Sequence, residues 1–174
     1  MITFNDMWHF LETTFCSEKA LHVIGHDGLK LPYDYYIIHG RVEDRFDLEI
    51  LRDLWKERYT FIVQSSSITR ELAALVDEIE EDNNVEAGAH IYAGLKNSRS
   101  FNPHADNPDN LIIQCIGESQ VTLYSDEGLT VKDQFILRPG GSVYIPSKQY
   151  HLVEPLTDRL SISIPIYKNE KSSL

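Results

Sequence analysis

The chain has 174 residues, 42% of them hydrophobic and 25% charged, and 27 acidic against 16 basic side chains leave a formal charge of −11. That length suffices for one domain with a real core, and the composition excludes a disordered tail, a collagen-like fibre and a disulfide-stapled miniprotein. The negative charge would repel a phosphate backbone and no basic patch offsets it, so no direct nucleic-acid contact is expected; no apolar run approaches the ~18 residues that would carry a helix across a bilayer.

In chain order, Met1 to Asp6 lacks the basic and apolar regions of a secretion signal, and a soluble, cytoplasmic protein is expected. Cys16 and Cys115 stand far apart in unlike segments and read as reduced thiols. His22 and His26 have the spacing of a helical metal pair, but Gly25 and Asp27-Gly28 make that stretch a strand and turn. His9 and His39 read as packing or surface groups. From Arg45 to Tyr59, the residues Phe46, Leu48, Leu51, Leu54 and Trp55 recur at three- and four-residue steps, which predicts an amphipathic helix. Phe61-Ile62-Val63 is short and β-prone. A second helix follows, with Leu72, Leu75, Val76 and Ile79 as its stripe, Ser67 and Thr69 at its start and Asp82-Asn83-Asn84 at its end; Glu78 to Asp82 is its solvated end.

Beyond residue 88 the texture changes. His90-Ile91-Tyr92, Leu111 to Ile116, Val121 to Tyr124, Phe135 to Leu137, Ser142 to Ile145 and Leu160 to Ile166 have strand length and composition. They are separated by Asn107-Pro108-Asp109-Asn110, Asp126-Glu127-Gly128 and Arg138-Pro139-Gly140-Gly141. The expectation is a single, mainly β domain: a helical flank with a few strands over 1–87, a β-barrel core over 88–168 and a tail over 169–174.

The chemistry-bearing residues begin with His104-Ala105-Asp106. Side chains at i and i+2 of an extended segment share a face, so His104 and Asp106 can grip one ion together. Such a triplet is common by chance, and its context gives it weight. Asn110 and Gly117 follow around an apolar strand, and Pro139-Gly140-Gly141-Ser142-Val143-Tyr144-Ile145-Pro146 precedes His151. Together these blocks resemble the two signature motifs of the cupin superfamily, in particular its JmjC-type branch. The resemblance spans roughly residues 88–167.

The resemblance implies a double-stranded β-helix, a jelly-roll barrel with N-terminal helices outside, that works as an Fe(II)- and 2-oxoglutarate-dependent oxygenase using O₂. It further implies that His104, Asp106 and His151 are both the iron ligands and the catalytic centre. Two imidazoles and one carboxylate on one face of the ion suit Fe(II) and leave positions open. Many JmjC-type members carry a Lys or Arg fifteen residues after the first ligand to hold the co-substrate; here that position is Ser119. Alternation instead puts Arg159, Ser161 and Ser163 on one face of the last strand, and Arg159 with Ser161 resembles the 2-oxoglutarate clamp of other branches. Asn110 and Tyr92 are further candidates for holding the co-substrate. The competing reading of Arg159 is a surface pair with Asp158. His90 is placed where it could face the barrel interior, and Cys115 reads as buried.

The function expected is therefore hydroxylation of a C–H bond in a small-molecule, peptide or protein substrate. Two alternatives stay open: a metal cupin dioxygenase or isomerase that does not use 2-oxoglutarate, and a non-catalytic ligand-binding cupin. The resemblance also suggests pairing into a homodimer, although no exposed apolar stripe marks the interface.

Overall fold

The computed structural model of the chain describes residues 2–15, 19–98, 101–127 and 130–168. Cys16, Gly128 and the tail over 169–174 lie outside the described residues. In chain order the elements are helix α1 (Phe4–Thr13), strand β1 (Leu21–Ile24), a 3-10 turn (Tyr33–Tyr36), β2 (Ile37–Ile38), β3 (Arg45–Phe46), α2 (Leu48–Lys56), β4 (Thr60–Gln64), α3 (Arg70–Asn83) and β5 (Val85–Ala87). They continue with β6 (His90–Gly94), β7 (Asp109–Ile116), β8 (Ser119–Tyr124), β9 (Val131–Leu137), β10 (Ser142–Ile145), β11 (His151–Pro155) and β12 (Arg159–Lys168).

Seven strands form the larger antiparallel sheet in the order β1-β4-β6-β12-β7-β10, with β5 beside β12; β11-β8-β9 form the smaller sheet, and β2 and β3 make a short separate pair. The fold is the mainly β, double-stranded β-helix with helices outside. Strands from the N-terminal half, β1 and β4, extend the larger sheet beyond β6, so the flank supplies sheet as well as helix.

Two cores follow from strand alternation, which sends successive side chains to opposite faces. On the outer face of the larger sheet, Phe61, Val63, Ile91, Ile162 and Ile164 pack in one cluster with Met7 and Leu11 of α1, Leu51 and Leu54 of α2, and Leu72 and Val76 of α3. Edge-to-face contacts join Phe4 and Trp8 to Trp55, and Trp8 and Trp55 to Phe61, which fixes α1 and α2 against β4. The second core, between the sheets, is small: Ile112, Val121, Leu137 and Ile145. Strand β12 serves both sides. Its Leu160, Ile162 and Ile164 face the helices, while Arg159, Ser161 and Ser163 line the pocket described below.

Local differences from the sequence expectation have physical causes. The helix expected over 45–59 starts at Leu48, because the Asp47 carboxylate accepts from the Glu49 and Ile50 amides and Arg45–Phe46 pairs as strand with Ile37–Ile38. Helix α1 was not among the expected elements, although Thr3 and Asp6 cap one another reciprocally at its start and Met7 and Leu11 form its buried stripe. The third helix starts on Thr69 and ends on Asn84, which takes the left-handed conformation at φ 52. Among the described residues, no helix is long and apolar enough to cross a membrane.

Candidate metal centre

His104, in the segment before β7, pairs with His151 at the start of β11 through an isolated antiparallel bridge. The His104 amide donates to the His151 carbonyl (3.1 Å) and the His151 amide returns the bond (2.8 Å). This reciprocal pair puts both imidazoles on one side, with ring centroids 4.5 Å apart. Asp106 lies in the segment after His104, and its oxygens are 3.8 Å from His104 Nε2 and 3.7 Å from His151 Nε2. One donor atom from each of the three residues lies within 4.8 Å of the other two.

The rings are oriented for ligation. His104 Nδ1 meets the Asn102 carbonyl at 2.9 Å and His151 Nδ1 meets the Gln149 carbonyl at 3.0 Å. A carbonyl can only accept, so each Nδ1 carries the proton and each Nε2 turns its lone pair toward Asp106. Asp106 is steered in turn by Asn110, whose Nδ2 donates to Oδ2 at 2.8 Å; Asn110 Oδ1 accepts from Ser163 Oγ at 3.2 Å. Burial pulls the His151 pKa below its usual value, keeping the imidazole in the neutral form that a metal needs. The donor set passes the test for a 2-His-1-carboxylate ion: two lone pairs and a carboxylate converge and outer hydrogen bonds fix all three.

A pocket of about 440 Å³, counting its solvent-open mouth, adjoins these donors. Tyr92, Asn110, Arg159 and Ser161 all line it, so every candidate co-substrate residue borders the same space as the three metal-binding candidates. Arg159 is only 1% exposed, and its Nη1 donates to the Val153 carbonyl at 3.2 Å while the guanidinium carbon lies 5.9 Å from the Tyr92 ring centroid. The reading of Arg159 as a surface group paired with Asp158 is thereby overturned: Arg159 is buried, and Asp158 Oδ1 caps the Lys96 amide. Burial draws Arg159 down to about 10 and pushes Tyr92 up to about 12, so the pocket holds one cation and one protonated phenol at neutral pH. Ser119 is fully buried between its strand partners Leu137 and Pro155 and is not among the residues lining the pocket.

Several residues of the site carried no sequence signal. Gln114, fully buried, accepts from Ser161 Oγ at 2.9 Å and its Nε2 donates to the Ile116 carbonyl at 2.8 Å; a polar residue inside an apolar strand was the available clue. Phe101 stacks edge-on against His104 and borders the pocket. A second opening, about 590 Å³ with its mouth, shares Tyr92, Asp106 and Ser163 with the first and continues past His22, Gln64 and His90. His90 thus lies on the pocket side of its strand, and Gln64 Nε2 is 3.3 Å from His22 Nδ1. The remaining histidines are surface or packing groups: His9 is exposed, His26 packs on Tyr59 and His39 meets Asp44 at 3.3 Å. Cys115 is buried and free, and burial raises its thiol pKa.

A family model described as "JmjC domain" matches residues 62–174. A sequence search of curated proteins gave no match. Among solved structures, the chain is similar to YcfD, a ribosomal oxygenase from Escherichia coli, in complex with cobalt and succinic acid, at 19% identity and TM-score 0.67, over 98% of this chain and 45% of that one. A second structure of YcfD, in complex with cobalt and 2-oxoglutarate, aligns at 17% identity and TM-score 0.62 over 98% of this chain and 45% of that one. The chain therefore spans less than half the length of these structures.

Proposed function

Because this chain belongs to the JmjC domain family, we propose that it is an Fe(II)- and 2-oxoglutarate-dependent oxygenase that hydroxylates a C–H bond. The observation that carries the reading is the convergence of His104, Asp106 and His151 on one point at the wall of a pocket whose buried cation is Arg159. The E. coli protein of the same fold holding cobalt with 2-oxoglutarate supports it.

His104 Nε2, His151 Nε2 and the Asp106 carboxylate would hold the metal. Bound Fe(II) supplies the redox chemistry that couples O₂-dependent decarboxylation of 2-oxoglutarate to hydroxylation. The protein's part is binding and orientation. Arg159, whose Nη1 also donates to the Val153 carbonyl, offers guanidinium N–H and a positive charge to the distal carboxylate of 2-oxoglutarate, and being buried it attracts that carboxylate more strongly than a solvated base would. Tyr92, held protonated, can donate a hydrogen bond to the same ligand. Asn110 is engaged by Asp106 and Ser163, so its part in this reading is to hold a ligand carboxylate in place. The opening past His22, Gln64 and His90 is the route by which a substrate, a small molecule or a peptide side chain, would reach the metal.

The test is anaerobic addition of Fe(II) and then 2-oxoglutarate, which should produce the visible charge-transfer band of the chelate, followed by aerobic assay for succinate and CO₂. His104→Ala should abolish both the band and the turnover. A wild-type protein that binds Fe(II) but gives no band would move the assignment to a metal cupin that does not use 2-oxoglutarate, the reading that Ser119 in place of a base keeps in view.

A further inference from the structure

The metal-binding candidates sit on two separate stretches of chain, 104–106 and 151, and a network of hydrogen bonds laces those stretches together. Three amides of the segment that ends at His151 donate across to the 104–109 segment: Ser147 N to Asp109 Oδ1 (2.7 Å), Lys148 N to the Asp106 carbonyl (2.8 Å) and His151 N to the His104 carbonyl (2.8 Å). Two of these three bonds end on backbone carbonyls, which no side-chain substitution can delete. The bond to Asp109 ends on a side chain.

Asp109 is built to hold that position. It follows Pro108 at the first position of β7, next to Asn110, which steers Asp106. Its carboxylate is 4% exposed, yet it lies near the surface, covered by its own partners. Lys168 Nζ from the end of β12 reaches Oδ2 at 2.6 Å, and the Ser147 amide donates to Oδ1. One anion thus ties three places in the chain: the start of β7, the loop before His151 and the end of β12. Lys148 at φ 61 shows how tightly that loop must turn to bring its amides into line.

We infer that Asp109 is a positioning residue for the metal centre: its carboxylate fixes the Ser147–Gln149 loop against the 104–109 segment and so sets the distance between His151 and the His104/Asp106 pair. It touches no metal, co-substrate or substrate. The inference rests on the reading of His104, Asp106 and His151 as one metal site, and it adds that the site's geometry is held by an ion-paired side chain on the strand start beyond it.

Co(II) serves as the probe because its visible absorption reports coordination geometry and does not depend on turnover. The wild-type chain, Asp109→Ala, Asp109→Asn and Lys168→Met are titrated with Co(II), and thermal unfolding is recorded for each metal-free protein. Asp109→Ala should weaken Co(II) binding about tenfold or more and change the Co(II) spectrum, the range seen when partners that orient metal ligands are removed. Asp109→Asn keeps an oxygen for the Ser147 amide and should fall between the two. Lys168→Met should lower the unfolding temperature with a smaller effect on Co(II), because the Ser147 bond survives. If Asp109→Ala does not fold, the Asn variant carries the measurement, and unchanged Co(II) affinity and spectrum in the folded variant would overturn the inference, leaving Asp109 a purely structural ion pair. Failure of the wild type itself to bind Co(II), with His104→Ala no different, would instead overturn the metal reading on which this one rests.

Discussion

Arg159 concentrates the difference between a surface charge and a buried one. A guanidinium that is 1% exposed has lost its water, and burial alone draws its pKa down to about 10. It stays charged at neutral pH, so an incoming carboxylate would add a counter-charge to the Val153 carbonyl and Tyr92 ring that it already meets. Arg159→Lys keeps the charge but loses the planar fork, and the shorter point charge cannot make two parallel bonds. The expected result is at least about a tenfold rise in the 2-oxoglutarate concentration needed for half-saturation of the metal-loaded protein, about 1.4 kcal/mol. Titration followed through the charge-transfer band measures it, and an unchanged midpoint would remove Arg159 from co-substrate binding. The position of Arg159 was legible because strand alternation groups it with Ser161 and Ser163. The engagement of Asn110 with Asp106 was not, because it depends on a side-chain rotamer and on Ser163, which lies 53 residues further along the chain.

At the scale of elements, α2, α3 and most of the longer strands were legible where one face is buried and the other wet, whereas α1, with the same kind of stripe, was not. Helix α3 has its Thr69 cap and its Leu72 and Val76 stripe within one local window. Strand β11 was not, since His151-Leu152-Val153-Glu154-Pro155 has no alternating pattern and becomes a strand by pairing with β8. Connections carry their own constraints. Gly117, between β7 and β8, has φ 71, and a Cβ there would run into the Asp158 carbonyl oxygen and Thr157 Oγ1. The same turn receives Gln114 Nε2 at the Gly117 carbonyl, 3.2 Å, and so supports the strand that carries Ser161's partner. Gly117→Ala should therefore cost about 1–2 kcal/mol for the left-handed backbone and more for the backbone contact that must open. Gly140, at φ 82 with open space around it, should lose only the conformational part on the same substitution. Urea unfolding of the two variants separates the terms; equal losses would mean that the Asp158 contact contributes nothing.

The whole molecule carries −11, and its stability on acidification is set by the few groups whose protonation differs between folded and unfolded chain. His90 and His151 are held below the usual 6.5, in each case mainly by burial. Between that lowered value and 6.5 the unfolded chain binds more protons than the folded one, so stability rises with pH across the window and is lost as pH falls below 6.5. Asp109 is lowered from 3.8 to about 2, first by Lys168, then by Tyr144 and the Ser147 amide. The sign is the same: its contribution is complete above about 3.8 and disappears as pH falls toward 2. Acid should accordingly loosen the protein in two steps, the first belonging to the metal-side histidines and the second to the ion pair that laces the centre. Loading the metal keeps the folded chain from protonating His151 while the unfolded chain still does, so it should extend the first step to lower pH without touching the second. Asp109→Asn should shrink the second, leaving the share of Asp6, which its bonds with Thr3 also hold below 3.8, and should leave the first unchanged. Thermal midpoints recorded from pH 8 to pH 2 for the metal-free, metal-loaded and Asp109→Asn proteins test the assignment, and a metal-loaded protein whose first step ends at the same pH as that of the metal-free protein would place the titrating group elsewhere than at His151.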